Sequence, residues 1–245
     1  MSIGDAEIKT QERVIRFFKD PEILGYQYIG NLSDYQNKNI KEDRLRQYLR
    51  LKGYADKLID AAIMQLQQEA GNLSRGVYDA NKTVYSRLKY GIPVSESPEK
   101  PPVTVQLVDE EKPLNNDFAI AEEVTVVEQS EKRPDLVVYL NGIAVAVIEL
   151  KRSSISVSEG IRQNLTNQKT SFIQSFFTTM QFCMAGNESE GLRYGTLLTG
   201  EKFYMEWKDD GFKEHEEERD PVDVRISKTC EGIENKLLKQ IYAMF

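Results

Sequence analysis

The sequence predicts an α/β core preceded by a helical region, and three observations carry that prediction. Up to about residue 91, apolar side chains recur at helical spacing. After residue 100 the order reads strand, strand, strand, helix, strand, strand, helix. Between two of those strands stands Asn141-Gly142, flanked by β-rich arms, the strongest short-range hairpin signal.

Within the helical region (residues 1–91), positions 6–19 set Ile8, Val14, Ile15, Phe17 and Phe18 near one side of a helix. Residues 41–51 (KEDRLRQYLRL) form a short basic helix that Gly53 ends. Leu58, Ile59, Ala62, Ile63 and Leu66 share a face in the next helix, which Gly71 stops. A further helix, 76–90, ends at Gly91 ahead of Pro93. Residues 92–113, rich in Pro, Ser and Glu, read as a linker or loop with one edge strand at Val103–Val108.

The core, residues 114–222, opens with a strand over Asp117–Glu128 and continues into the hairpin arms. Ser156-x-x-Glu159 resembles a capping box and starts a helix expected to reach Ala185. Strands are expected at Tyr194–Thr199 and Lys202–Trp207, around Gly200. A helix over 223–245 closes the chain. No internal repeat is visible.

Composition excludes several function classes. A chain of 245 residues with 40% hydrophobic and 29% charged residues has the makings of a real core. No apolar run reaches membrane-spanning length, and the polar N-terminus is neither a signal nor a transit peptide, so no membrane partner is expected and the cytoplasm is the default location. Cys183 and Cys230 are too few and too far apart for a disulfide scaffold or a zinc cluster. His215, the single histidine, lies in a charge run and leaves histidine-based hydrolysis without material. The net charge of −7 opposes nucleic-acid binding on average, but the charge is uneven. Basic residues gather between Lys38 and Lys57, although such a helix is more often a solvated face than a DNA contact.

The chemistry concentrates in RPDLVVYLNGIAVAVIELK, residues 133–151. Residues two apart share a strand face, so Glu149 and Lys151 project together while Leu150 points into the core. Asp135 and Glu149 offer carboxylates to a hard cation such as Mg²⁺ or Mn²⁺, and the carbonyl of Leu150 offers a third oxygen. Lys151 cannot ligate as an ammonium; it is placed to act on the attacking water or on charge developing at a phosphate. A strict two-residue turn would set Asp135 opposite Ile148, facing away from Glu149. The site therefore demands an odd register offset, from a three-residue loop Asn141–Ile143 or from a bulge in either arm. On the following helix, Gln163 leads a polar stripe through Asn167, Thr170, Ser171 and Gln174 that could touch DNA backbone or hold Lys151. Glu12, on the first helix, reads as a surface residue rather than as part of the site.

These residues carry a resemblance. RPDLVVYLNGIAVAVIELKRS has the pattern of the PD-(D/E)xK nucleases and closely resembles the nuclease core of the R (restriction) subunits of type I restriction-modification enzymes, where a Pro-Asp start, an Asn-Gly turn and an Ile-Glu-Leu-Lys end recur together. LGYQYIGN, GYADKLIDAAIMQL, NDFAIAEEVTV and SEGIRQNLTNQ resemble the flanks of that core, over about residues 10–210. The resemblance implies a restriction-endonuclease-like fold, a mixed central sheet flanked by helices. It also implies a Mg²⁺-dependent type I site-specific deoxyribonuclease domain cutting double-stranded DNA without sequence specificity of its own. Asp135 and Glu149 then act as metal ligands and Lys151 as the catalytic lysine. Gln163 matches the glutamine of a Q-x-x-x-Y helix motif, whose tyrosine is Asn167 here. Methyltransferase and specificity subunits would be partners. ATP would belong to a motor domain beyond Phe245, since no Walker A sequence occurs in this chain. Two rivals share the fold: a degenerate DNA- or protein-binding module, and a repair or junction-resolving nuclease.

Overall fold

The computed structural model describes residues 3–97, 99–206 and 236–244. Six helices occur among them: α1 (Ile3–Lys19), α2 (Glu42–Leu51), α3 (Asp56–Gly71), α4 (Val77–Tyr90), α5 (Val157–Asn167) and α6 (Lys236–Met244). The strands are β1 (Gln27–Asn31), β2 (Ile92–Val94), β3 (Val103–Val105), β4 (Phe118–Glu122), β5 (Val126–Val127), β6 (Glu131–Lys132), β7 (Leu136–Leu140), β8 (Ile143–Leu150), β9 (Phe182–Asn187), β10 (Gly191–Gly195) and β11 (Met205–Glu206). Seven form a mixed central sheet in the order β1-β4-β7-β8-β9-β10-β11, flanked by helices as the fold prediction requires. Pairing is antiparallel except for β1 with β4 and β8 with β9.

Each sheet face carries one half of the alternation along its strands. Ile120, Leu136, Val138, Ile148 and Met184 meet Val14, Phe17 and Phe18 of α1 and Leu237 and Ile241 of α6. Val14 and Phe18 are fully buried, each worth about 1.5–3 kcal/mol of transfer free energy. On the opposite face, Val137, Tyr139, Val147 and Cys183 pack on Ile173, Phe176 and Phe177, and α5 lies over Ala185 through Val157 and Ile161. β8 has helical cover on both faces and strands on both edges, which is why its sequence is nearly all apolar. Helices α2, α3 and α4 share a third cluster with β2 and β3.

Several elements differ from the sequence reading. The N-terminal region is not wholly helical: Gln27–Asn31 is an edge strand of the central sheet, and its brevity and half-exposed pattern left little periodicity to detect. Residues 92–113 hold a paired ribbon, Ile92–Val94 with Val103–Val105, rather than a loop with one edge strand over Val103–Val108. The Asp117–Glu128 strand breaks at Glu123, whose φ of 51° no strand accommodates. The helix from Ser156 ends at Asn167, and Phe182–Asn187 is the strand β9 instead. That run is apolar and short, so its period distinguishes neither state. The strand expected at Tyr194–Thr199 is shifted to Gly191–Gly195, and of that expected at Lys202–Trp207 the part Met205–Glu206 forms, while Lys202 falls in a 3-10 turn, Glu201–Phe203. The closing helix is described from Lys236; its expected start at residue 223, His215 and Trp207 lie outside the described residues.

Candidate active site

The hairpin of β7 and β8 contains the register shift that its chemistry demands. Asn141 and Gly142 make a true two-residue turn with φ of 53° and 83°, and Leu140 pairs with Ile143 and Tyr139 with Ala144. Farther down, Val138 pairs with Ala146 and Leu136 with Ile148, so Val145 is the extra residue of a bulge. Continuing that register sets Asp135 opposite Glu149. The offset thus comes from the bulge in an arm and not from a three-residue loop.

Glu149 is fully buried at the end of β8, on the face that α5 covers. Gly160 permits the close approach: a Cβ there would stand 2.9 Å from Ala185 Cβ and 3.4 Å from Glu149 Cβ. One turn later Gln163 Nε2 donates to Glu149 Oε2 at 2.6 Å. Glu149 Oε1 is buried with no hydrogen-bond donor on it, and the Asp135 carboxyl lies within hydrogen-bonding reach of the Glu149 carboxyl. Asp135 is half-buried, and its Oδ2 accepts the backbone N–H of Leu150 at 2.7 Å. Lys151 Nζ donates to Leu150 O at 3.1 Å and lies 3.4 Å from Glu7 Oε1.

Electrostatics set these carboxyls apart. Burial pushes the Asp135 carboxyl up to about 6, opposed by the Lys151 ammonium and the Leu150 N–H. Glu149 is raised well above the ordinary carboxylate range, by burial first and by the neighbouring Asp135 charge second. Two acids this close in a desolvated corner destabilise each other's charged forms, and a divalent cation relieves that conflict. Glu149 Oε1, with no donor on it, fits such a ligand. Among the described residues no group of three or more His, Cys, Asp or Glu side chains is placed to hold a metal. Asp135, Glu149 and the Leu150 carbonyl, which also accepts from Lys151 Nζ, are the groups that would hold such an ion. Magnesium takes one or two carboxylates and completes its shell with water.

Asp135, Glu149, Leu150, Lys151 and Gln163 come together, as the spacing suggested. Asn167 does not join them: it is buried, and its carbonyl accepts from Ile173 N. Gln174 also turns inward, donating to Gln168 O at 2.9 Å, while Thr170 and Ser171 are exposed, so the stripe does not present a single face. Glu12 is exposed, while Glu7 meets Lys151 and Gln11 donates to Glu122 and Glu123. Glu7 was absent from the sequence reading, yet a signal existed. The stripe that buries Val14 and Phe18 runs back through Gln11 to Glu7 at helical spacing, and Glu12 is off it. The basic helix α2 spends its arginines internally: Arg44 on Asp117, Arg46 on Glu42 and Asp60, Arg50 on Asp56.

The family model for the type I restriction enzyme R protein N terminus matches residues 7–203. The chain belongs to that family. The match runs from Glu7 through the 3-10 turn at Glu201–Phe203, so every site residue of this R protein N-terminal chain falls inside it. A search of the curated proteins found no match. The mixed sheet and its flanking helices agree with the restriction-endonuclease-like fold of such an R protein N terminus.

Proposed function

We propose that this R protein N-terminal chain is the DNA-cleaving part of its restriction enzyme, hydrolysing phosphodiester bonds of double-stranded DNA with Mg²⁺, or Mn²⁺ in its place. The observation that carries the reading is the bulge at Val145, which sets Asp135 opposite Glu149 and leaves Glu149 Oε1 open to a cation. Asp135, Glu149 and the Leu150 carbonyl would hold the ion. When bound, it supplies a Lewis acid for a phosphate and acidifies water.

The chain's own residues do the rest. Gln163 fixes one Glu149 oxygen and so sets the plane of the carboxylate. The N–H of Leu150 does the same for Asp135. Lys151, held between Leu150 O and Glu7, presents a cation where a phosphate gains charge in the transition state. Target choice is proposed to lie in a separate specificity subunit. That subunit and the methyltransferase are the proposed partners, the cytoplasm is the proposed location, and ATP belongs to a motor elsewhere in the R protein.

The test is cleavage by the assembled enzyme carrying Asp135→Ala or Lys151→Ala. Both variants should lose cutting while keeping the wild-type fold by circular dichroism; undiminished cutting by both overturns the proposal. Calorimetric titration of Mg²⁺ or Mn²⁺ separates a nuclease from a degenerate binding module, because only the former should lose metal affinity on Glu149→Ala.

A further inference from the structure

We propose that the surface beside the carboxylate pair binds duplex DNA, with Lys132, Arg133 and Lys169 contacting phosphates near the cut. This rests on the nuclease reading above and extends it to the surface that holds the substrate.

The ribbon of β5 and β6 leaves the sheet just ahead of Asp135 and folds across to the chain that follows α5. Its tip is held there, with Gln129 N donating to Phe172 O at 3.2 Å. The Glu128 carboxylate accepts the backbone N–H groups of Ser175 and Phe176 at 3.0 and 2.9 Å, so this acid is used inward. Lys132 Nζ stands 4.7 Å from the centroid of the Phe172 ring, and Phe172 N donates to Lys169 O at 2.9 Å. The chain segments that supply Asp135 and Gln163 therefore meet again at Phe172, and both bring cations.

Reach decides what these cations can touch. Lys132 precedes Asp135 by three residues, at most about 10 Å of extended chain. That span matches roughly three nucleotides of rise along one DNA strand. Arg133 is nearer still; it pairs with Glu123 at 2.7 Å, and its side chain is 56% exposed. Arg152, half-buried directly after Lys151, adds a further cation at this end of β8. Arg162, on the outer face of α5, is engaged by Glu159 and Glu201. Lys89 of α4 lines an apolar groove of about 520 Å³ with Val145 and Phe182, at the opposite end of β8 from Lys151. A chain with a net charge of −7 needs such local cations to attract a polyanion.

The experiment is fluorescence anisotropy with a 20-base-pair duplex in Mg²⁺, using Asp135→Asn as the parent so that the DNA stays whole. Lys132→Gln/Arg133→Gln/Lys169→Gln should weaken binding at least tenfold and flatten the slope of log affinity against log salt by about 2.7, at about 0.9 per phosphate. Lys82→Gln/Lys89→Gln, on α4, should match the parent. If the triple variant does not melt like the parent, each single substitution serves, with an expected flattening of about 0.9. An unchanged triple variant, an equal loss from the α4 pair, or a parent that does not bind duplex overturns this surface. Cleavage by the assembled wild-type enzyme in any of those cases leaves the nuclease reading standing; absence of both binding and cleavage by that enzyme removes it as well.

Discussion

Gln163 donates a 2.6 Å hydrogen bond to one oxygen of Glu149, while the other oxygen of that carboxylate is buried with no donor on it. A side chain that orients a ligand is worth about 10–100-fold in metal affinity or activity. Gln163→Ala should lower Mg²⁺ affinity by that factor with little change in melting temperature. Calorimetry beside a thermal melt checks it, and equal affinities would make Gln163 a bystander.

Stability should fall as pH rises through the window set by Asp135. Its folded value is raised from 3.8 to about 6, so between those values the folded state binds more protons than the unfolded one. The associated stability is complete below about pH 4 and lost above about pH 6, on the order of 3 kcal/mol at 1.36 kcal/mol per unit. Glu149, raised in the same direction, adds to the trend. Glu149→Gln should flatten the profile and raise the melting temperature at neutral pH, and added Mg²⁺ should do the same for the wild-type chain. Denaturant melts across pH 4–8 test this; a profile rising with pH contradicts it.

The bulge at Val145 should be indispensable. Its deletion returns the arms to a regular hairpin and sends Glu149 and Lys151 toward the face occupied by Val14 and Phe18. Loss of cooperative folding is expected. Val145→Thr keeps the residue count at a half-buried position and should melt within a few degrees of wild type. A stable, metal-binding deletion variant would refute the register argument.

Asn141 should be among the costliest single positions. It is fully buried at φ 53°, accepts from Asp117 N at 2.7 Å, and donates to Leu107 O and Asn116 Oδ1 at 2.8 and 2.9 Å. Asn141→Ala strands buried backbone groups and strains the turn, costing about 2–4 kcal/mol. Asn141→Gly relieves only the strain and should fall between. At about 2–4 °C per kcal/mol for a chain of this size, thermal melts resolve the order of the three.

The legible part of this protein is the local part. Pro-Asp, Asn-Gly and Glu-Leu-Lys are read within one hairpin, where strand alternation fixes which side chains can share a face. The demand for an odd offset follows from that alternation alone. Gln163 was equally legible, because the Ser156 cap sets where α5 begins; Ser158 N does donate to Ser156 Oγ.

Tertiary structure decided the rest. Whether a loop or a bulge would supply the offset depends on Gly142 packing against the first turn of α2, where a Cβ would meet Lys41 O at 2.7 Å. The strands β1 and β9 enter the sheet by parallel pairing with β4 and β8, across gaps that leave no local signature. Glu7 rather than Glu12 reaches Lys151 because burial of Val14 and Phe18 sets the rotation of α1. Asn167 faces the interior for the same kind of reason. Alternation and turn chemistry act over a few residues and can be read from the chain. The rotation of a helix and the partner of a parallel strand are set by packing against distant residues, and only the folded molecule contains that information.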